Sequence, residues 1–410
     1  MGFFALKKDK VRYGVLINIG SGSVLASIVS SDETKTHPDI IWSKREYTPL
    51  RQINSISDSA KSVMTSLMNV MMLLDSEGRK TLFESTGQRK LHDIQITISA
   101  PWSYTVTKTI SYQNNANFEV TVTLIEELLR TAQQKVEEEM QENEEVNNLG
   151  LDVIARSTIQ VIANGYPIKV TGKQKANSIK VVESSSVAQE YLTKAISDMQ
   201  GKMFPDSDLK KYSFMLPFFY VMRELDTVVS EYCLVDVTYE ATEIGIVRDG
   251  ILNYCTHAPY GSFSLAREIS KITSVPLEEA HGYFTSDDFS SFLARYSEKQ
   301  KKEVELLLES YQERIALLFG ETGDSLSIPK KIYLHGNHKT EPFFHSQIEK
   351  AATRATKTQH VVYEVTSELL TKHFAKDDTL KLKSSGQDTG LLISAQFFHN
   401  QHFHDKFEHF

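Results

Sequence analysis

Residues 12–31 read Arg12-Tyr-Gly-Val-Leu-Ile-Asn-Ile-Gly-Ser-Gly-Ser-Val-Leu-Ala-Ser-Ile-Val-Ser-Ser31. Two runs rich in β-formers, 12–19 and 24–31, flank the small-residue tip Gly20-Ser-Gly-Ser23, which predicts a hairpin. Glycine leaves the backbone N–H groups open to a ligand and serine adds hydroxyl donors, so the tip suits a phosphate. Alone, a Gly/Ser tip is more often a plain turn, and the rest of the chain has to decide.

Working outward, a third β-rich run spans 40–47, and 57–74 carries Val63, Leu67, Val70, Met71 and Leu74 at helical spacing. Met64, Met68, Met71 and Met72 on that helix read as core filling. Residues 91–99 alternate as a strand, 124–140 form a helix that turns acidic, 143–150 a loop, 152–163 and 177–182 strands, and 187–199 a helix. Together, residues 88–205 predict a compact α+β unit of their own, with a seam near 201–211. The β-rich pattern then returns at 232–237, 242–248 and 251–257, with the hairpin turn Asp249-Gly250. Helices are expected at 263–273, 277–284, 288–319 and 341–353, and a short strand at 331–334 runs into His335-Gly336-Asn337. The recurrence is too long for a solenoid repeat and indicates a duplicated domain. The expected division is 10–87 for part of a first domain, 88–205 for an inserted subdomain, 206–400 for the rest of the first domain and the second, and 401–410 for a tail.

With 410 residues, 40% of them hydrophobic and 24% charged, the chain is long enough for two to four globular subdomains. A net charge of −8 argues against nucleic acid as the main partner, because neutralising phosphates takes a surplus of Lys and Arg. Cys233 and Cys255 are too few for a disulfide scaffold and point to a reducing compartment. The longest apolar stretch, 214–222, is interrupted by Pro217 and is too short to cross a bilayer, so a cytoplasmic protein is expected. His399, His402, His404 and His409, with Asp405 and Glu408, show no tight ligand spacing and read as a solvated terminal segment. The acidic run Glu137–Glu139 with Glu142, Glu144 and Glu145 reads as a solvated face, and Trp102 as a buried aromatic.

Three elements occur in order: Ile17-Asn-Ile-Gly-Ser-Gly-Ser-Val24; Leu234-Val-Asp-Val-Thr-Tyr-Glu-Ala-Thr-Glu-Ile-Gly-Ile-Val247; and Ile332-Tyr-Leu-His-Gly-Asn337. Here the chain resembles the actin and sugar-kinase superfamily, with two phosphate loops and an adenosine loop. It is most similar to the FtsA and PilM type, whose Asn-Gly-Tyr turn is matched by Ala163-Asn-Gly-Tyr-Pro167. The resemblance implies an α/β fold of duplicated actin-like (ribonuclease H-like) domains flanking a nucleotide cleft, with a small inserted α+β subdomain. It implies a site for ATP with Mg2+ formed by Gly20, Ser21, Gly22, Ser23, Asp236, Thr242, Gly336 and Asn337, with Asp236 touching the metal through water. It also shows where the site has eroded. Asn18 replaces a family Asp that organises the magnesium ion, Thr238, Tyr239 and Glu240 replace glycines, and Asn337 replaces a second glycine. An amide holds a hard cation less well than a carboxylate, and Glu240 would set like charge beside a phosphate.

The function implied is therefore an adaptor or scaffold of the FtsA type, linking a cytoplasmic filament or ring to membrane-bound division machinery, with self-polymerisation a further expectation. The alternative is a PilM-type role, binding a cytoplasmic peptide of a pilus-assembly protein. A third class, an ATP-dependent kinase or chaperone-type ATPase, is opposed by Asn18 and the lost glycines. No catalytic residue is assigned, and at most weak ATPase activity is expected. Membrane contact, if any, is peripheral: the basic amphipathic helix that ends FtsA-like proteins is poorly matched by 396–410, where only Lys406 is basic, and Phe3, Phe4 and Leu6 with Lys7, Lys8 and Lys10 offer a short anchor.

Overall fold

The computed structural model describes residues 11–49, 56–142, 150–169, 174–285, 289–321, 328–336, 340–374 and 388–403. The N-terminal anchor residues, the expected loop apart from Gly150, Glu144, Glu145, Asn337, His404, Asp405, Phe407, Glu408, His409 and Phe410 lie outside them.

The first sheet takes the order β3-β2-β1-β4-β9. Its strands are β1 (Val11–Ile19), β2 (Ser23–Asp32), β3 (Asp39–Tyr47), β4 (Asp93–Ile98) and β9 (Asp208–Ser213). A second sheet takes the order β12-β11-β10-β13-β14. It comprises β10 (Tyr232–Val237), β11 (Thr242–Arg248), β12 (Ile251–Ala258), β13 (Lys331–Gly336) and β14 (Val361–Glu364). In each, three antiparallel strands are followed by two parallel ones, so the two sheets share one topology. The turn at Asp249-Gly250 has φ of 53° and 71°, the two positive angles of a type I′ hairpin.

The helices repeat as well. After β3 come α1 (Ile56–Leu73) and, through a π-helical turn at Leu74–Gly78, α2 (Arg79–Thr86). α3 (Val122–Glu142) belongs to the insertion, while α4 (Glu190–Met203) and α5 (Met215–Leu225) flank β9. In the second half, α6 (Ser262–Thr273), α7 (Leu277–Gly282), α8 (Phe289–Ala294) and α9 (Glu298–Gly320) stand in the place of α1 and α2. α10 (Glu341–Thr356) and α11 (Ser367–Phe374) then flank β14 as α4 and α5 flank β9. The single helix expected over 288–319 is two, because Ser297 caps α9 in a capping box with Gln300.

This correspondence moves the limits of the insertion. β4 and α4 fall inside 88–205, yet β4 pairs in parallel with β1 and β9, and Leu192, Ile196 and Met199 of α4 pack in the core of the first sheet. The inserted unit is the sheet β5-β8-β6-β7 with α3 on one face. Its strands are β5 (Ser103–Val120), β6 (Leu151–Ala163), β7 (Tyr166–Pro167) and β8 (Gln174–Gln189). β5 escapes a periodicity search because residues 111–117 are exposed on both faces, leaving no alternation to detect. β8 runs on through 187–189, which the sequence assigns to a helix.

The last helix, α12 (Thr389–Phe403), returns to the first sheet, where Leu391, Ala395 and Phe398 cover Leu16, Leu25 and Val29. A Cβ on Gly14 would stand 2.4 Å from the Phe398 ring, so the absence of a side chain there lets α12 seat. His399 is pinned, accepting from the Ser31 hydroxyl at 2.7 Å and donating to the Lys35 carbonyl at 3.0 Å, and His402 Nε2 lies 3.4 Å from Asp93 Oδ2. Both are packing residues, and among the described residues no group of three or more His, Cys, Asp or Glu could hold a metal ion. Phe397 and Phe398 are likewise core, not a membrane-facing stripe. Met68 and Met72 correct the expectation of a buried methionine row: Met71 is buried, but these two are exposed at 52% and 62%. Glu137 and Glu139 pair with Arg156 and Lys108. Among the described residues no helix is long and apolar enough to cross a membrane.

Candidate functional site

The β1–β2 and β10–β11 turns face one another across the two domains. Gly20 N–H donates to the Ser23 carbonyl at 3.0 Å and closes the first turn. Thr238 N–H donates to the Ala241 carbonyl at 2.8 Å and closes the second. Nothing separates the two. Glu240 N–H donates to Ser21 Oγ at 3.0 Å, and a Cβ on Gly22 would stand 2.4 Å from Cγ and Cδ2 of Tyr239. The Tyr239 ring, 1% exposed, therefore fills the concavity that Gly22 leaves. Phe263 and His281 back it, with ring centroids 4.1 and 5.8 Å away. Burial pulls the His281 pKa down to about 4, so this imidazole stays neutral.

Neighbouring donors are committed in the same way. The Thr238 hydroxyl donates to the Ala100 carbonyl at 3.0 Å, and the Trp102 indole N–H to the Gly20 carbonyl at 3.3 Å, tying both turns to the end of β4. Ser262 and Phe263, at the N-terminus of α6, donate to the carbonyls of Thr238 and Tyr239 at 3.0 and 2.8 Å. Glu240 does not crowd the turn with charge as expected. Arg267 and Ser264 of α6 draw its carboxylate away, Arg267 Nη1 to Oε1 at 2.8 Å and Ser264 Oγ to Oε2 at 3.1 Å. Arg267 falls in the helix expected at 263–273, but only the fold turns it toward Glu240.

Deeper in the cleft, Asp236 is 1% exposed and accepts from His335 Nδ1 at 2.7 Å. Burial alone would lower the His335 pKa, but the Asp236 carboxylate outweighs it and holds the imidazole above its ordinary value. Glu243 pairs with Asp236 across β10 and β11, so both carboxyl groups share one face of the sheet. Burial, with the nearby Asp236 charge, pushes Glu243 up to about 8, and the group is protonated at neutral pH. Ser23 Oγ accepts from Arg45, whose other Nη bonds Asp388 at the start of α12. Asn18 accepts from the Thr97 hydroxyl at 2.8 Å.

The proposed nucleotide residues thus divide. Gly20, Ser21, Gly22, Ser23 and Asp236 come together at the cleft. Thr242 does not join them: it pairs with Val237, on the opposite face from Asp236, and its hydroxyl donates to the Tyr260 carbonyl at 2.9 Å inside the second core. Gly336 reaches the cleft, but its N–H is taken by Glu341 Oε1 at 3.3 Å. Asn337 lies outside the described residues. Arg45 and Asp388 carry no local motif, and their long separation in sequence hides them until the sheets are assembled.

ATP with Mg2+ does not fit this arrangement. The turn amide and Ser21 hydroxyl that would meet phosphate oxygens are bonded to each other, the Tyr239 ring fills the space at Gly22, and Asp236 already holds His335.

Two sheets of one topology facing a cleft, with an insertion after the fourth strand, define an actin-like ATPase fold. The chain is similar in structure to the PilM-PilN type IV pilus biogenesis complex, at 10% identity, with 94% of this chain and 98% of that chain covered and a TM-score of 0.57. It also matches ethanolamine utilization protein EutJ from Carboxydothermus hydrogenoformans, at 10% identity, 94% and 89% coverage and a TM-score of 0.42. A Bacteroides thetaiotaomicron protein with an actin-like ATPase fold and unknown function matches at 10% identity, 88% and 94% coverage and a TM-score of 0.39. No protein-family model and no curated protein sequence matches the chain.

Proposed function

We propose that this chain is a protein-binding adaptor on an actin-like scaffold, with its nucleotide cleft sealed by its own side chains. The observation that carries the proposal is the direct bond between the two turns, Glu240 N–H to Ser21 Oγ at 3.0 Å, beside the Tyr239 ring packed on Gly22. Phosphoryl transfer needs a positioned metal and an oriented water between such turns, and the space for both is occupied. Without turnover, the fold's remaining use is to present surfaces at a fixed mutual angle. Of the two adaptor roles, the pilus type is favoured by the likeness to the PilM-PilN complex, the one structural likeness above with a TM-score over one half.

Four measurements on purified protein test this. Millimolar ATP with magnesium should leave the melting temperature unchanged, and multi-turnover hydrolysis would overturn the sealed cleft. Isothermal titration with a peptide from the cytoplasmic tail of a pilus-assembly membrane protein should give saturable binding. Co-sedimentation with a tubulin-like division filament, in place of peptide binding, would move the role to the division machinery.

A further inference from the structure

We infer that Asn18, Arg45 and His335 form an oxyanion site inside the cleft, and that the Asp388 carboxylate is the chain's own ligand in it. The donors come from three strands, β1, β3 and β13. Arg45 bonds Asp388 directly, and Gly390 lies beside the other two donors: a Cβ built there would lie 3.3 Å from Asp388 Oδ1, 3.6 Å from His335 Nε2 and 3.7 Å from Asn18 Nδ2. Each donor is aimed by a second bond. His335 commits Nδ1 to Asp236 at 2.7 Å, which turns Nε2 to the cleft. Asn18 commits Oδ1 to the Thr97 hydroxyl at 2.8 Å, which turns its amide nitrogen the same way. Arg45 spans Ser23 and Asp388 with its two Nη groups. Asp388 also accepts from Leu391 N–H at 2.8 Å and so caps α12.

Among the described residues, His335 feels the charges of Asp236, Glu341 and Asp388, and Asp388 those of Arg45 and His335. The guanidinium and the amide nitrogen present hydrogens, and the imidazole does so at Nε2 when it is protonated, its Nδ1–H being taken by Asp236, so in that form the three groups select a bare oxyanion over a hydrated divalent cation. Asn18 acquires a use on this view, since a carboxylate at that position would repel the Asp388 carboxylate. The inference is independent of the adaptor role, and either can fail alone.

The test empties the site and offers a substitute. Asp388→Ser keeps a side-chain oxygen to cap α12 while removing the anion. Inorganic phosphate without metal should raise the melting temperature of Asp388→Ser progressively with concentration, and leave the wild type unmoved beyond a chloride control of equal ionic strength. Adding Arg45→Gln to that variant should abolish the gain. A folded Asp388→Ser that responds to phosphate no more than wild type overturns the inference, as does a response that survives Arg45→Gln or requires magnesium. If Asp388→Ser does not fold, the isosteric Asp388→Asn is read by the same criteria.

Discussion

A single methyl group at Gly22 tests the sealed cleft most directly. In Gly22→Ala the new Cβ would stand 2.4 Å from Cγ and Cδ2 of Tyr239, far inside van der Waals contact. The ring cannot swing clear, because Phe263 and His281 pack behind it. Overpacking of this kind costs about 1–3 kcal/mol. Truncating the ring in Tyr239→Ala removes a buried aromatic and should cost about 3–5 kcal/mol. The decisive quantity is the coupling: with the ring gone the methyl has room, so Gly22→Ala should cost little in the Tyr239→Ala background, a coupling of about 1–3 kcal/mol. Urea unfolding followed by Trp102 fluorescence suits the cycle, since the Trp102 indole bonds Gly20 and reports on the turn itself, with Trp42→Phe removing the other indole. Additivity of the two substitutions to within about 0.5 kcal/mol would refute the contact.

Glu243 gives a pH signature. Its folded pKa of about 8 lies above its ordinary 4.5, so between those values the folded chain holds a proton that the unfolded chain releases, and stability falls as pH rises, by up to about tenfold per unit in the unfolding constant. Glu243→Gln should flatten urea midpoints measured from pH 5 to 8, and an unchanged slope would assign the dependence to other groups. Arg267→Ala strands the mostly buried Glu240 carboxylate and should destabilise by about 1–3 kcal/mol, with part recovered in the double variant carrying Glu240→Gln. Phe398→Ala should cost about 3–5 kcal/mol and loosen α12, read as faster amide exchange in β1 and β2.

The fold was legible because it rests on local patterns repeated twice: β-rich runs, small-residue turns and amphipathic helices in one order. Its limits were less so. β4 looks like the first strand of a new unit because sequence proximity to β5 is visible and its parallel pairing with β1 is not. At the cleft, the bulk of Tyr239 in a turn expected to be glycine was a readable sign that a side chain would stand against Gly22. The face of Thr242 required the register of β10 against β11, since a hairpin fixes which residues share a side. Arg45, Asp388 and the Glu240–Arg267 pair depend on contacts between elements and leave no trace in spacing.

The return of α12 to the first sheet also sets a schedule for synthesis. Ser31 and His399, bonded at 2.7 Å, are 368 residues apart. At about 5–20 residues per second, the apolar outer face of β1 and β2 waits roughly 20–75 s for its cover to leave the ribosome. Over that interval Leu16, Leu25 and Val29 are open to any chaperone that binds apolar strands. A nascent chain stalled before residue 389 should therefore remain chaperone-bound, and release should coincide with the arrival of the last helix.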